Sequence, residues 1–154
     1  MSVFYFGGAG VISFFVVGTP KPQGSKRAFM RPNAKHPTMV ESAGEALKDW
    51  RASVRYTAAA QGEKISGAVK VQLRFVMQRP KGHYGTGKNS LLLKQSAPKQ
   101  HDKKPDIDKL ARAVLDGLSG VTFEDDSKVV WLEAWKKYAD PNEHTGCEIY
   151  VREG

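Results

Sequence analysis

The chain has 154 residues, a formal net charge of +8 and one cysteine, Cys147. This length suits one ordinary domain, which buries about 68–70% of its unfolded surface without cross-links. A single cysteine excludes an internal disulfide and any cysteine-based zinc cluster. It favours a reducing, cytoplasmic setting in which Cys147 is a core residue.

The charge is divided unevenly along the chain. Up to Lys104 there are 18 Lys and Arg against 5 Asp and Glu, a formal charge of +13, whereas from Pro105 onward there are 6 against 11, a formal charge of −5. A basic body around an acidic cluster is typical of a protein that holds a polyanion while a metal ion at the cluster acts on it. A basic surface that serves only solubility is the alternative.

The first twenty residues carry no charge at all. A signal peptide or a membrane anchor is nevertheless not expected, because there is no basic n-region and Gly7, Gly8 and Gly10 interrupt the apolar run. Residues 12–17 instead predict a buried strand, with residues 1–10 as an N-terminal extension.

Residues 18–37 are rich in Pro, Gly, Lys and Arg and are predicted to form a basic loop. Lys26 and Arg27 are the candidate DNA-binding residues of this loop. A helix then extends to Gly62, and its apolar stripe contains Ala43, Leu47, Trp50, Val54 and Thr57. Trp50 could stack on a nucleic-acid base, but its place in the stripe favours core packing.

This first helix has a start signal, since Ser42 and Glu45 fit a capping box. Beyond the helix, residues 69–78 alternate between apolar and polar side chains and predict the most regular strand of the chain. Pro80 ends the strand. Residues 81–104 follow with little regular pattern and are predicted to be a mobile basic loop. The lysines that this loop offers to DNA phosphates are Lys81, Lys88, Lys94, Lys99, Lys103 and Lys104.

One part of the loop, Gly82–Lys88, nearly matches a nucleotide-binding P-loop and follows a strand. Asn89, however, stands where a P-loop has the Ser or Thr that binds magnesium. The match is therefore the less favoured alternative to a lysine-bearing DNA-binding loop. His83, Tyr84 and His101 are either further DNA contacts or ordinary loop residues.

The organising element is a second helix from Ile107. Pro105 suits its start, Asp106 can cap its first backbone amides, and Gly117 with Gly120 ends it. Asp108, Arg112 and Asp116 share one face. The opposite face is an apolar stripe of Ile107, Leu110, Ala111, Val114, Leu115 and Leu118.

Two strands are predicted after this helix, at Lys128–Tyr138 and around Cys147–Val151. The element order is strand, helix, strand, basic loop, helix, strand, strand. It predicts an α/β (α+β) fold: a single domain with one mixed β-sheet packed by two main helices.

Aspartates flank the second helix. Asp106 and Asp108 lie at its positive end, and Asp125 and Asp126 lie at the turn before the next strand, where one of them is expected to fold back towards the helix N-terminus. Hard cations such as Mg²⁺ need oxygen ligands of this kind. Two such ions in one site can activate water and steady the leaving oxygen, and Arg112 could stabilise charge on the phosphorus.

Each aspartate also has a purely structural interpretation. Asp106 is then only a cap, Asp108 and Arg112 form an i,i+4 ion pair, and Asp125 with Asp126 is an acidic turn. A metal site is favoured when the aspartates are taken together, because carboxylates that meet at one site repel each other unless a cation is present.

The run KPDIDKLARAVLDGLSG, followed by DD and a strand, resembles the RusA family of Holliday junction resolvases, which are endonucleases of bacteria and their phages. The GTPKPQGSKR loop, the RPKGHYGTGK loop and the region of residues 138–140 are also similar to family members. The likeness covers the chain from about residue 12. It implies that residues 1–154 form a single RusA-like endonuclease domain.

The resemblance implies a homodimer in the bacterial cytoplasm, encoded by host or phage. Such a protein binds four-way DNA junctions and makes paired nicks with Mg²⁺, for which Mn²⁺ can substitute. It carries catalytic and metal-binding roles over to Asp106, Asp108 and Asp126, with Asp125 as a further metal ligand. Where the family commonly has Asn after the second aspartate this chain has Lys109, and where well-known members have a functional lysine it has Arg112, which cannot readily donate a proton. A non-catalytic protein that binds branched DNA is the alternative function.

Overall fold

The computed structural model describes residues 10–24, 27–29, 32, 35–36, 38–40 and 44–154. Its main sheet has four strands in the order β1 (Val11–Val17), β6 (Gly146–Glu153), β4 (Val69–Met77) and β5 (Val129–Tyr138). β4 and β5 pair in parallel, and the other two pairs are antiparallel. The predicted mixed sheet is therefore confirmed.

Two helices cover one face of this sheet. They are α1 (Gly44–Ala60) and α2 (Ile107–Leu118), and α2 lies in the connection between the parallel strands β4 and β5. A parallel pair needs such a crossover, usually through a helix. This topology places the acidic segment of the chain between two neighbouring strands. The predicted architecture of one mixed sheet and two main helices is thus confirmed.

β4 is one of the two interior strands of the sheet, with β6 paired to one edge and β5 to the other. The apolar residues of the predicted strand, from Val69 to Phe75 in alternate positions, are fully buried. Gln72 and Val76 on the opposite face are also buried. The alternation of apolar and polar residues suggested one exposed face, but this strand is buried on both faces at these positions. Burial of this kind is typical of a central strand with neighbours on both edges.

The two helices contact each other and the sheet through the predicted stripes. Leu47, Trp50 and Val54 of α1 are buried, which confirms the core interpretation of Trp50. Ala58, four residues after Val54 and so on the same face of the helix, takes the last buried position in place of Thr57, whose hydroxyl donates to the Ser53 carbonyl. In α2, Leu110, Ala111, Val114 and Leu118 are buried, as the stripe predicts. Cys147 is buried as expected, and desolvation raises the pKa of its thiol well above the usual range.

The sequence prediction is wrong about residues 18–37 as one continuous loop. β2 (Arg27–Phe29) and β3 (Thr38–Val40) pair as a short antiparallel hairpin. Strands of three residues are too short to show an alternating pattern, so the sequence carried no periodic signal for them. Lys26, Ser42 and Ala43 lie outside the described residues, as do residues 1–9, and the predicted capping box is therefore not described.

The segment 81–104 contains two short 3-10 turns, Lys81–His83 and Gly87–Asn89, and a third precedes β5 at Asp126–Lys128. No α-helix begins directly after Gly82–Lys88, as a P-loop would require, since the next α-helix starts at Ile107; the nucleotide-site alternative therefore loses its structural context. Mobility of the segment stays a prediction. Among the described residues, neither α1 nor α2 combines the length and the continuous apolar composition that a membrane-spanning helix needs.

Candidate active site

Two exposed carboxylates lie at the start of α2. Asp106 occupies the N-cap position with extended backbone, but its side chain makes no capping hydrogen bond. Its carboxylate is 54% exposed and lies 3.6 Å from the Lys109 ammonium. Asp108 lies in the first helical turn, also exposed, and makes no hydrogen bond or ion pair with any described residue. Both acidic groups therefore face solvent at the positive end of the helix dipole.

The start of α2 is fixed from β5 by Lys136. The Lys136 ammonium donates to the Pro105 carbonyl at 2.7 Å and to the Lys103 carbonyl. These are charge-assisted bonds, which are stronger than neutral ones. The sequence analysis did not identify Lys136, since nothing local marks a lysine in a strand as a partner of carbonyl groups some thirty residues earlier. Lys136 thereby positions the peptide that leads into Asp106.

The first basic loop packs against the same end of α2. The Gln23 amide donates to the Lys109 carbonyl at 3.0 Å, and the Gln23 side chain accepts from Arg51 of α1 at 3.0 Å. A shallow cleft of about 320 Å³ results, and its lining residues are Pro22, Lys104, Pro105, Asp106 and Lys109. The cleft is open to solvent and borders one of the two carboxylates.

The second acidic pair lies before β5. Asp125 accepts a hydrogen bond from the Ser127 amide at 3.1 Å, and bonds from the Ser127 hydroxyl and amide lower its pKa. Asp126 begins the 3-10 turn, and its carboxylate accepts from the Ser119 hydroxyl at 2.8 Å. Ser119 is the C-cap residue of α2. Asp126 is therefore held at the C-terminal end of the helix.

The expectation that this turn folds back to the helix N-terminus is wrong within one chain. α2 has 12 residues, which span about 18 Å. β5 returns along the helix, since its C-terminal half brings Lys136 to Pro105 while its start follows Asp126. Among the described residues no three acidic, histidine or cysteine side chains form a metal-binding group. Asp126 lies only seven residues after Ser119 in the sequence, and this spacing favoured a position near the C-terminal end of the helix.

The predicted polar face of α2 is divided between two environments. Arg112 is exposed and pairs with no described residue, so the Asp108–Arg112 ion pair is not formed. Asp116 instead lies 3.5 Å from Arg51 of α1 and belongs to the contact between the helices. Of the three residues of the predicted polar face, Asp108 and Arg112 face solvent without a described partner, whereas Asp116 pairs with α1.

The candidate DNA-binding lysines at positions 81, 88, 103 and 104 are all exposed. Arg27 lies in β2, and its side chain is outside the described part of the structure. The loop that carries the lysines is attached to the sheet by Arg79, which donates to the carbonyls of Ala139 at 2.7 Å and Pro98 at 2.6 Å. Tyr138 packs against this attachment point, with the His101 and His83 rings 4.7 and 4.8 Å from its own. Arg79 and Tyr138 lie in two regions that resemble the RusA family, but nothing in the sequence marked their side chains as partners in this attachment.

Comparison with known proteins gives the chain a family. The family model of the endodeoxyribonuclease RusA matches residues 18–152, nearly the whole chain. The chain belongs to the RusA family. This RusA-family chain is also 30% identical over 147 residues to an uncharacterised protein of Bacillus subtilis (strain 168), YqaN, a match that covers 92% of the chain and 96% of YqaN.

Family membership confirms the resemblance seen in the motifs and has a consequence for function. RusA proteins are endonucleases that act on branched DNA, so this RusA-family chain is placed among the DNA-cutting hydrolases. The matched region includes α2 and both acidic pairs.

Proposed function

We propose that this RusA-family protein is a divalent-metal-dependent endodeoxyribonuclease that resolves four-way DNA junctions by paired phosphodiester hydrolysis. One observation carries the proposal: two exposed carboxylates, Asp106 and Asp108, lie at the end of a lysine-rich segment that can hold the DNA backbone. Phosphate contacts position a nucleic acid, while acidic residues that would repel it require a cation between them.

The donor set suits a hard cation. Magnesium sites that work on phosphates commonly use one or two carboxylates, with water and substrate oxygens as the remaining ligands. Asp106 and Asp108 would supply the carboxylates at the start of α2, and Asp126, with Asp125 beside it, would supply a further ligand. A bound divalent cation would act as a Lewis acid on the phosphodiester. Arg112, one turn beyond Asp108, would face the phosphate and balance its charge.

A second copy of the chain would bring the two acidic ends together. β5 is an edge strand, and its Val130 and Leu132 side chains are 61% and 42% exposed. An exposed apolar edge favours pairing with another strand. Antiparallel pairing of two β5 strands about an axis near residue 131 would set Asp126 of one subunit close to Lys136, and so to Asp106, of the other. The proposed homodimer therefore has two composite sites, one for each nick.

Junction cleavage tests the catalytic proposal. Asp108→Asn is expected to slow cleavage of a four-way junction by about 100-fold or more, because it removes a charged group from the reacting centre, while binding of the junction is retained. Asp116→Asn is a matched control on the same helix, since Asp116 is not among the proposed metal ligands and instead pairs with Arg51 of α1. Tight binding without cleavage by the wild-type protein in Mg²⁺ or Mn²⁺ would contradict the proposal.

Mixed dimers test the composite site. Co-expression of an Asp108→Asn chain with an Asp126→Asn chain yields heterodimers in which one composite site has all its carboxylates and the other has lost two. Such heterodimers should nick one strand of the junction, although each variant alone is inactive. If the sites lie within single subunits, both sites of the heterodimer are damaged and no activity returns.

The second candidate is a non-catalytic protein that binds branched DNA. It is favoured by Lys109, whose ammonium lies 3.6 Å from the Asp106 carboxylate, where it competes with a metal ion. Calorimetry with Mg²⁺ or Mn²⁺ separates the two candidates. Metal binding that is lost in Asp106→Asn supports the nuclease, whereas no binding to either protein supports the accessory role.

A further inference from the structure

Two neighbouring leucines stand out on the basic segment that leads to α2. Leu91 and Leu92 are 83% and 62% exposed. They follow the 3-10 turn Gly87–Asn89, and they lie between Lys88 and Lys94. Single exposed apolar residues are common on protein surfaces. Two adjacent exposed leucines at the tip of a charged loop instead indicate a surface that contacts a partner.

The backbone of this tip is folded by its own hydrogen bonds. The Gly85 amide donates to the Leu92 carbonyl at 2.9 Å, and the Leu92 amide donates to the Asn89 carbonyl at 3.0 Å. The Gly85 position admits no side chain, because a Cβ there would lie 2.7 Å from the Asn89 Cβ. The leucines are therefore held outward on a compact turn.

Charge identifies the partner of this tip. Residues 81–104 contain six lysines and one aspartate, a net charge of +5 with neutral histidines. A partner must then offer dense negative charge together with apolar surface that two leucines can cover. Nucleic acid meets both requirements, since phosphates surround the flat faces of the bases, which become accessible where a duplex is unstacked.

The base of the loop connects the tip to the acidic site. Arg79 holds the Pro98 carbonyl, and the Tyr138 amide donates to the Lys99 carbonyl at 2.9 Å. A few residues after Lys99 the same segment reaches Pro105, whose carbonyl accepts a hydrogen bond from Lys136. DNA held at the tip is thus held by the same chain segment that ends at the carboxylates.

We propose that Leu91 and Leu92 form an apolar wedge that enters the base stack at the branch of the DNA while Lys88 and Lys94 hold the flanking phosphates. Side chains that unstack bases in this way are Phe, Leu, Ile, Met and Pro. The wedge rests on the proposed function for its substrate. It adds a role for the loop tip, namely opening the branch, that the carboxylates do not provide.

A fluorescent base at the branch tests the wedge. A four-way junction with 2-aminopurine beside the crossover is mixed with the Asp108→Asn protein, so that no cleavage interferes. Binding is expected to raise the fluorescence of the base, and the rise should be lost when Leu91→Ser and Leu92→Ser are added. Lys88→Ala is the matched control, which should weaken binding and its salt dependence but keep the fluorescence rise at saturation.

Other outcomes decide against the wedge. A fluorescence rise that persists in the double-serine protein would overturn it, as would failure to bind the junction at all. Loss of dimer mass in sedimentation would show that the leucines contact the second subunit instead. Leu91→Gln is a second variant that guards against misfolding. Its melting temperature should equal that of the wild type, so that a change in its fluorescence signal cannot come from loss of the fold. Because the assay does not use cleavage, a protein that opens the branch but never cuts it would sink the nuclease proposal and leave the wedge standing.

Discussion

At the residue scale, the carboxylate of Asp106 has a neighbour that acts against metal binding. Lys109 lies one turn further along α2, with its ammonium 3.6 Å from the Asp106 oxygen and both side chains about half exposed. An exposed ion pair of this kind is worth about 0–1 kcal/mol. Its ammonium is nevertheless a positive charge at the point where a divalent cation is expected, so it opposes that cation by a similar amount.

Lys109→Asn is therefore expected to tighten Mn²⁺ or Mg²⁺ binding by up to about fivefold, the equivalent of about 1 kcal/mol. Titration calorimetry of the metal measures the change. Lys48→Asn is a matched control, because Lys48 makes the same i,i+3 contact with Glu45 at 3.5 Å on the other helix. Weaker metal affinity in Lys109→Asn would contradict the proposed competition between the Lys109 ammonium and a cation at Asp106.

At the element scale, α2 is set in place by its close approach to α1. Gly117 has no side chain, and a Cβ there would lie 2.9 Å from a methyl group of Val54 and 3.2 Å from the Arg51 carbonyl. The backbone of α2 therefore lies directly against α1. This approach fixes the direction along which α2 carries its two acidic ends.

Gly117→Ala is expected to destabilise the protein by about 1–3 kcal/mol, because overpacking of the helix contact outweighs the gain of up to about 1 kcal/mol in helix propensity. Urea denaturation measures the change in the free energy of unfolding. Gly82→Ala is the control, since a Cβ there meets no atom within 4 Å. Unchanged or increased stability of Gly117→Ala would mean that α1 and α2 can separate without cost.

The attachment of the basic loop has a second consequence at this scale. The His101 ring is buried against Tyr138, and its Nδ1 has no hydrogen-bond partner among the described residues. Burial first, and then the charge of Lys136, lower the pKa of His101 below its usual 6.5. The folded protein therefore favours the neutral imidazole, and the unfolded chain takes up a proton at higher pH than the folded one.

Stability contributed by neutral His101 is complete above pH 6.5 and falls as the pH drops from there towards the lowered pKa of the folded state. His101→Gln should flatten the decline in the melting temperature between about pH 7 and pH 5, a range that spans the ordinary pKa of histidine. His144→Gln, at an exposed position, should leave the decline as it is in the wild type. Parallel pH profiles for wild type and His101→Gln would contradict this assignment.

At the scale of the whole molecule, positive charge is concentrated before α2 and negative charge after its start. Up to Lys104 the chain carries a formal charge of +13, and from Pro105 it carries −5. Such a distribution favours binding of DNA through its phosphates, with release of condensed counterions. Binding that depends on counterion release weakens steeply as salt is added.

Junction affinity is therefore expected to fall linearly on a plot of log K against log salt concentration, and Lys81→Ala or Lys88→Ala should each make the slope shallower by about one unit. Lys48→Ala, whose ammonium pairs with Glu45 on α1, should leave the slope unchanged. Fluorescence anisotropy of a labelled junction measures the slopes. A slope that is the same in all four proteins would remove the loop lysines from the DNA interface.

The sequence by itself determined the helices, the central strand and the identity of the charged groups. The apolar stripe of α2, the alternation of β4 and the core position of Trp50 all follow from patterns within a few residues, because the period of a helix or strand dictates which side chains share a face. The RusA motif likewise lies within one continuous run around Asp106 and Asp108. Local patterns of this kind can be interpreted without knowing how the rest of the chain folds.

Only the tertiary structure decided where those groups meet. It placed Asp126 at Ser119, at the far end of α2 from Asp106, and it paired Asp116 with Arg51. It also made Lys136 the support of the peptide before Asp106. The physical reason is that convergence of side chains depends on the direction in which distant elements pack against each other. The spacing of residues along one helix or one strand does not determine how that element packs against a distant one.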